Sequence, residues 1–96
     1  MSFNKKVYDL CRKIPKGKVS TYKELAKKIN PKAYRAVGNA LNKNKSREVP
    51  CHRVIKSSGK IGGFAKGTKT KIKLLKKEGI IIRNNKIDLK KYLYKF

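Results

Sequence analysis

The sequence has few of the residues that metal sites and disulfides need. Its 96 residues include two cysteines and one histidine. Two cysteines forty residues apart and a single histidine cannot supply the four ligands of a usual structural zinc site. A disulfide between Cys11 and Cys51 is possible on paper, but nothing in the sequence indicates an oxidising compartment. We interpret both residues as free thiols.

Long apolar runs are also missing. No stretch approaches the length of a transmembrane helix, and Met1–Leu10 has no apolar core of a signal peptide. We therefore expect a soluble, intracellular, cytoplasmic protein without a membrane partner. A chain of 96 residues is long enough for one modest core and too short for two, so we expect residues 1–96 to form a single domain.

Positive charge is what the sequence has in excess. There are 28 Lys and Arg against five Asp and Glu, a net charge of +23. Such an imbalance favours a polyanionic partner, most simply nucleic acid, through phosphate neutralisation and counterion release. An anionic membrane surface is the competing partner.

Apolar spacing predicts a mainly α fold, a small winged-helix-like helix-turn-helix domain with short β elements. A first helix is predicted near residues 3–14, with Cys11 on its apolar stripe as a core thiol. Thr21-Tyr22-Lys23-Glu24 fits a capping box that begins a second helix. After Asn30-Pro31 a third helix is predicted over about Ala33 to Asn42. Its predicted inward residues are Ala36, Val37, Ala40 and Leu41.

Two short helices joined by a tight turn indicate a helix-turn-helix, in which the second helix enters a groove. That helix is rich in alanine and glycine, interrupted by Tyr34 and Arg35. Small side chains let a backbone approach closely, which suits the narrow minor groove better than long base-reading side chains. Arg35 could contact a phosphate or replace an extruded base. It could equally be one solvated cation among 28.

Shorter elements are predicted downstream. Val54-Ile55 has the pattern of a buried strand, and the glycine-rich loop Gly62–Gly67 that of a pocket wall. A helix over about Lys69 to Lys77 should end at Gly79, with Glu78 at its end. A carboxylate there opposes the helix dipole, which indicates a partner such as His52, although an exposed Glu78 near lysines is the alternative. The remaining predictions are a turn at Ser57–Lys60, a hairpin around Asn84-Asn85, and an apolar tail over Tyr92–Phe96.

The strongest candidate for chemistry is the stretch Val49-Pro50-Cys51-His52-Arg53-Val54. Pro50 keeps Cys51 out of any helix interior. His52 can act as a base near neutral pH and Arg53 adds fixed positive charge, so the residue types favour a reactive thiolate. Adjacent side chains of a regular strand point to opposite faces, however. On this stretch alone, a buried cysteine with an incidental histidine is an equally good reading.

Taken in order, the motifs resemble the C-terminal DNA-binding and active-site domain of the O6-alkylguanine-DNA alkyltransferases, the methylated-DNA--protein-cysteine methyltransferases. Two segments carry the resemblance, Pro50–Val54 and Tyr34–Leu41, and it covers about residues 3 to 80. Further matches in order are Ser20–Ala26, Ser57–Gly59 and Leu74–Gly79.

The resemblance implies DNA repair by direct and irreversible alkyl transfer. The alkyl group, a methyl in the simplest case, would pass from O6-alkylguanine in double-stranded DNA to Cys51, once per molecule, after base flipping. It further implies a monomer that works on the nucleoid and needs no cofactor and no metal.

The resemblance also assigns roles. Cys51 would be the nucleophile, His52 a base acting through a water, and Glu78 the group that orients His52. Tyr22 would donate a hydrogen bond or proton to the departing guanine. The DNA contacts would be Ala33, Tyr34, Arg35, Gly38 and Leu41. The substrate pocket would be lined by Pro50, Arg53, Val54, Phe64 and Ala65.

An asparagine would brace the active-site turn. Asn44 corresponds to it, but the segment from Asn44 to Cys51 is about one residue shorter than in common relatives. Asn42 is therefore a rival for this role.

Some features depart from the family pattern. Tyr34 stands where many relatives have a smaller residue, Phe64 replaces a common tyrosine, and Ala65 replaces a serine. The family's separate N-terminal domain has no counterpart in this sequence. Two alternatives to the enzyme remain. One is an alkyltransferase-like damage sensor, a group in which the active-site cysteine is replaced, and the other is a basic helix-turn-helix architectural protein with an inert cysteine.

Overall fold

The structure, a computed structural model, describes residues 2–44, 46, 48–63 and 67–96. Its helices are α1 (Phe3–Arg12), α2 (Tyr22–Ile29), α3 (Tyr34–Lys43), α4 (Thr68–Lys77) and α5 (Leu89–Tyr92). Its strands are β1 (Ser20–Thr21), β2 (Val54–Ile55), β3 (Ile82–Arg83) and β4 (Lys86–Ile87), and a 3₁₀ turn spans Cys51–Arg53. The predicted mainly α class is confirmed. None of the described helices is long and apolar enough to cross a membrane.

The first three helices pack around one apolar cluster. α1 begins at Ser2, whose hydroxyl accepts a hydrogen bond from the Lys5 amide. α2 begins at Thr21, whose hydroxyl accepts a hydrogen bond from the Glu24 amide at 3.1 Å, as the capping box predicts. Cys11 is fully buried in the cluster, so the prediction of a core thiol is confirmed. Other members are Val7, Leu25, Ala26, Val37, Leu41 and Val54.

The buried face of α3 is narrower than predicted. Val37, Ala40 and Leu41 are buried, whereas Ala36 is exposed. Each residue turns a helix by about 100°, so one stripe along α3 can include positions 37, 40 and 41 and still leave position 36 in solvent. The inward assignment of Ala36 is therefore wrong. Leu41, predicted to contact DNA, lies on the buried stripe, and its side chain packs in the core.

The rest of the chain packs around a second apolar cluster, formed by Val19, Ile55, Ile61, Leu75, Ile80, Ile87 and Tyr92. β1 and β2 pair in parallel, with Ser20 opposite Val54. This pair joins the start of the helix-turn-helix to the end of the 3₁₀ turn. The C-terminal tail is tied to the same place, because the Val19 amide donates to the Tyr92 carbonyl and the Tyr94 amide donates to the Val19 carbonyl.

β3 and β4 form the predicted antiparallel hairpin. The turn residues Asn84 and Asn85 have φ angles of 52° and 59°, as a type I′ turn requires. Gly59 brings the preceding turn onto this hairpin, since its carbonyl accepts a hydrogen bond from the Ile87 amide at 2.8 Å. A Cβ at Gly59 would lie only 2.8 Å from the Ile87 carbonyl oxygen, so glycine is what permits this approach.

Candidate active site

Cys51 lies in a tight double turn. Pro50 has φ −79° and ψ 62°, the geometry of an inverse γ-turn, and the Cys51 amide donates to the Val49 carbonyl at 2.8 Å. The 3₁₀ turn follows, with the Arg53 amide donating to the Pro50 carbonyl at 2.9 Å. The proline ring sets the φ angle that this geometry needs. Because the backbone is no regular strand here, the objection that neighbouring side chains must diverge does not apply.

The side-chain amide of Asn44 holds this turn. Its Nδ2 atom lies 3.2 Å from Cys51 Sγ and 3.2 Å from the Val49 carbonyl oxygen. Asn44 directly follows α3 and is buried, so the helix-turn-helix and the cysteine are mechanically connected. The rival residue, Asn42, is exposed and lines a cleft. The structure therefore places Asn44, and not Asn42, against the active-site turn.

His52 is bound to Glu78 from the end of α4. The distance between His52 Nε2 and Glu78 Oε2 is 2.8 Å, so the contact predicted from the sequence is present. A carboxylate can only accept a hydrogen bond, so Nε2 carries a proton. In the neutral ring Nδ1 is then the atom with a lone pair. This arrangement makes Nδ1 the position at which His52 can take up a proton.

Arg53 binds the same carboxylate, that of Glu78. Its Nε lies 2.9 Å from Glu78 Oε1 and its second terminal nitrogen 2.8 Å from Oε2, a bidentate pair. Its remaining nitrogen donates to the Ile14 carbonyl at 2.9 Å. Arg53, predicted to line the substrate pocket, instead uses its guanidinium to join the segment after α1 to the end of α4.

The pKa of Glu78 lies below its usual value of 4.5. Burial acts in the opposite direction, but the hydrogen bonds from Arg53 and His52 outweigh it. Glu78 is thus a carboxylate at neutral pH. It sits at the C-terminal end of α4, where its interaction with the helix dipole is unfavourable, and the hydrogen bonds from Arg53 and His52 offset that cost.

The two cysteines have different surroundings. Cys11 is fully buried, and burial, together with the nearby charge of Cys51, raises its pKa to about 12. Cys51 keeps 9 % of its surface exposed. Both are free thiols, as predicted. Across the described residues, no three His, Cys, Asp or Glu side chains come together as a metal site would require.

Tyr22, the first residue of α2, is half-buried near the cysteine. Burial, and after it the charge of Cys51, raises the pKa of Tyr22 above its usual 10.0. Its hydroxyl therefore keeps its proton at neutral pH and can serve as a donor.

Lys71 is a site residue that the sequence analysis missed. Its side chain is fully buried, and its Nζ donates to the Val54 carbonyl at 2.7 Å and to the Gly63 carbonyl at 3.1 Å. The same atom lies 5.8 Å from the centre of the Tyr22 ring. Burial lowers its pKa from 10.5 to about 8, with the charge of Cys51 acting the other way. The one signal in the sequence is that Lys71 precedes the buried Leu75 by one helical turn.

An open cleft of about 640 Å³ lies between the helix-turn-helix and the segment 56–63. Tyr22, Tyr34 and Gly38 line it from the helices, and Gly63 lines it from the opposite segment. Arg35 is exposed on α3.

The other predicted site residues fall in three places. Ala33 is half-buried and precedes α3, without a side-chain capping bond. Pro50 is half-buried beside the cysteine. The assignment of Val54 to the pocket is wrong for its side chain, which is fully buried and packs in the first cluster. Phe64 and Ala65 lie outside the described residues.

Comparison with known proteins gives the family. The model of the 6-O-methylguanine DNA methyltransferase DNA-binding domain matches residues 2–80, which is most of the chain. The chain belongs to this family. The matched region contains all the site residues described above.

Two relatives show the extent of the similarity. A methylated-DNA--protein-cysteine methyltransferase of Methanosarcina acetivorans is 52% identical over 79 residues, which are 80% of this chain and 51% of that protein. A bifunctional methyltransferase/endonuclease of Picrophilus torridus is 43% identical over 90 residues, which are 92% of this chain and 30% of that protein. The chain thus spans about half or less of the length of these relatives.

Solved structures of the family share the fold. S. pombe Atl1 in complex with damaged DNA containing O6-carboxymethylguanine has a TM-score of 0.88 and 36% identity, covering 98% of this chain and 95% of that one. Mycobacterium tuberculosis OGT in complex with DNA has a TM-score of 0.77 and 41% identity, covering 82% and 49%.

Proposed function

We propose that this chain repairs double-stranded DNA by moving the alkyl group of O6-alkylguanine onto Cys51 Sγ. One observation carries the proposal. Cys51 is held by the Asn44 amide in a proline-set turn, directly beside a histidine whose Nε2 is bound to a carboxylate. This is the arrangement of a nucleophile, a base and a group that orients the base.

The chemistry uses four side chains. His52 Nδ1 takes the thiol proton through a water, while Glu78 holds Nε2–H in place. The sulfur then attacks the alkyl carbon, so an S–C bond forms as the bond between that carbon and O6 breaks. The electron pair stays on the guanine, which receives a hydrogen bond or proton from the Tyr22 hydroxyl. The thioether has no easy leaving reaction, so each molecule reacts once.

Access to the sulfur requires base flipping. An O6 substituent inside a stacked duplex cannot reach a cysteine that is only 9 % exposed. The guanine leaves the stack, enters through the cleft, and the exposed Arg35 fills the gap in the duplex. Ala33, Tyr34 and Gly38 follow the minor groove, and Pro50 belongs to the pocket. We expect a monomer acting on chromosomal DNA.

The likeness to Atl1 over nearly the whole chain favours one alternative, a protein that binds the lesion without repairing it. The thiol at position 51 argues for transfer, because it supplies the nucleophile that the reaction needs.

The test is the mass of the intact protein after incubation with a duplex containing O6-methylguanine. Transfer adds one methyl group to wild type and none to Cys51→Ser, with Cys11→Ser as the matched control that still gains it. Tight lesion binding without a mass gain would establish the sensor instead. Equal affinity for undamaged DNA would identify an architectural protein.

A further inference from the structure

Two large apolar side chains are strongly exposed among the described residues, and they lie in different places. Tyr34 is 51% exposed and Ile81 is 50% exposed. Tyr34 lines the cleft together with Tyr22, whereas Ile81 lies in a separate groove beside β4. Only Tyr34 therefore projects at the surface that receives DNA in the proposed function.

The fold itself does not need the Tyr34 ring. It is the first residue of α3, and that helix packs through Val37, Ala40 and Leu41. Ala33, the residue before it, makes no side-chain capping hydrogen bond, so the start of the helix does not require a tyrosine at position 34. A singly exposed apolar side chain is common on protein surfaces, so what distinguishes Tyr34 is its place in the cleft.

One wall of the cleft that Tyr34 lines is connected to the turn that carries Cys51. Gly63 belongs to that wall, and Lys71 joins the Gly63 carbonyl to the Val54 carbonyl, at the end of the turn. An extruded nucleotide stays covalently attached to its own strand. In the proposed function, the strand that carries the lesion therefore passes the open side of this cleft, and the half-exposed Tyr34 ring lines the cleft.

We propose that Tyr34 is a stacking platform for a base of the lesion-bearing strand at the mouth of the cleft. This inference rests on the proposed function and deepens it by giving the Tyr34 ring, one of the proposed DNA contacts, a specific partner. Every base has a π-face, so the platform tolerates any sequence, and such stacking changes affinity by roughly 5- to 100-fold per base. The ring carries the effect, and the hydroxyl is dispensable.

Transfer rates on two DNA substrates separate the platform from other roles. Tyr34→Ala should slow transfer from O6-methylguanine about tenfold in both single-stranded and duplex DNA, and leave reaction with free O6-benzylguanine unchanged. Tyr34→Phe should behave like wild type and Tyr34→Leu like Tyr34→Ala. Arg35→Ala should slow the duplex reaction alone. Ile81→Ala, the matched exposed residue outside the cleft, should have no effect.

Three results would overturn the platform. No slowing with Tyr34→Ala means that the ring contacts nothing important. Slowing confined to duplex DNA means that the ring is a wedge between base pairs. Full activity with Tyr34→Leu means that apolar bulk is sufficient and stacking is not involved.

A fluorescence measurement keeps this test apart from the test of transfer. The chain contains no tryptophan, so Tyr34→Trp in the Cys51→Ser background introduces a single reporter where no transfer can occur. Single-stranded lesion DNA should quench it, and should not quench the matched Ile81→Trp reporter. Quenching without a mass gain in wild type would refute transfer and keep the platform. A mass gain without quenching would keep transfer and refute the platform.

Discussion

At the scale of single residues, the site depends on one carboxylate in a chain that has few. Of the five acidic residues, Asp9 and Glu24 make exposed pairs with cations on their own helices, and Asp88 caps α5. Glu78 alone, within the described part of the chain, binds the side chains of a histidine and an arginine at once. The chain has many lysines, so charge alone would not select His52 and Arg53 as the partners of Glu78. Their position in the fold does.

Glu78→Gln should destabilise the protein by about 3 kcal/mol, because it leaves Arg53 and His52 without their buried anion. The matched control is Glu24→Gln, which breaks an exposed pair with Lys27 at 3.5 Å and should cost less than about 1 kcal/mol. Urea unfolding at pH 7 measures both. Equal losses for the two variants would contradict the role given to Glu78.

The same carboxylate makes stability depend on pH. The pKa of Glu78 in the folded protein lies below 4.5, so its contribution is present above about pH 4.5 and is lost as the pH falls through the folded-state pKa. Melting temperatures of wild type and Glu78→Gln should therefore converge in acid. A difference that stays constant from pH 7 to pH 3 would refute the assignment.

At the scale of the elements, two glycines with opposite surroundings show where backbone geometry is essential. Gly59 has φ +90° and would place a Cβ 2.8 Å from a carbonyl oxygen of β4. Gly38 lies inside α3, where an added Cβ meets nothing within 4 Å. The first holds a turn against the hairpin, and the second belongs to the face of α3 that lines the cleft.

The two Gly→Ala substitutions should change stability in opposite directions. Gly59→Ala should destabilise by about 1–3 kcal/mol, because the backbone is strained and Ile87 must move. Gly38→Ala should stabilise by about 0.5–1 kcal/mol, because alanine favours a helix. Thermal unfolding measures both changes. A stable Gly59→Ala protein would show that the turn and the hairpin do not depend on this close approach.

At the scale of the whole molecule, the net charge of +23 favours a polyanionic partner, as the DNA of the proposed function is. Each phosphate neutralised by a cation releases counterions, so affinity for DNA should fall steeply as salt rises. A surface so basic should bind any duplex, so under the proposed function lesion specificity would come from the cleft and from Cys51.

Raising salt from 50 to 200 mM should weaken DNA binding by about 10³-fold or more. Arg35→Gln should lower the slope of log affinity against log salt by about 1. The control is Arg12→Gln on α1, whose cation pairs with Asp9 at 3.0 Å and should leave that slope unchanged. Fluorescence anisotropy measures the slopes, and equal slopes for Arg35→Gln and wild type would remove Arg35 from the DNA contact.

Local features were predictable from the sequence, because they depend on residues close together in the chain. The Thr21 cap, the Asn84-Asn85 turn and the proline before Cys51 each act within a few residues. The positions of α1 to α4 followed from apolar periodicity to within one or two residues, whereas α5 was not predicted. The contact between His52 and Glu78 was also foreseen, and for that the order of motifs along the chain was needed.

Only the tertiary structure decided which long side chains turn inward. A lysine among 28 Lys and Arg has the sequence signature of a solvated cation, yet Lys71 is buried because two backbone carbonyls from distant segments meet its ammonium. Arg53 likewise joins the segment after α1 to the end of α4, through contacts with distant residues. Asn44, and not Asn42, contacts the turn of Cys51, because Asn44 is buried directly after the last residue of α3. The sequence by itself determined the elements and the reactive stretch, through local periodicity and turn geometry. The partners of each polar side chain depend on packing between distant segments, which periodicity does not encode.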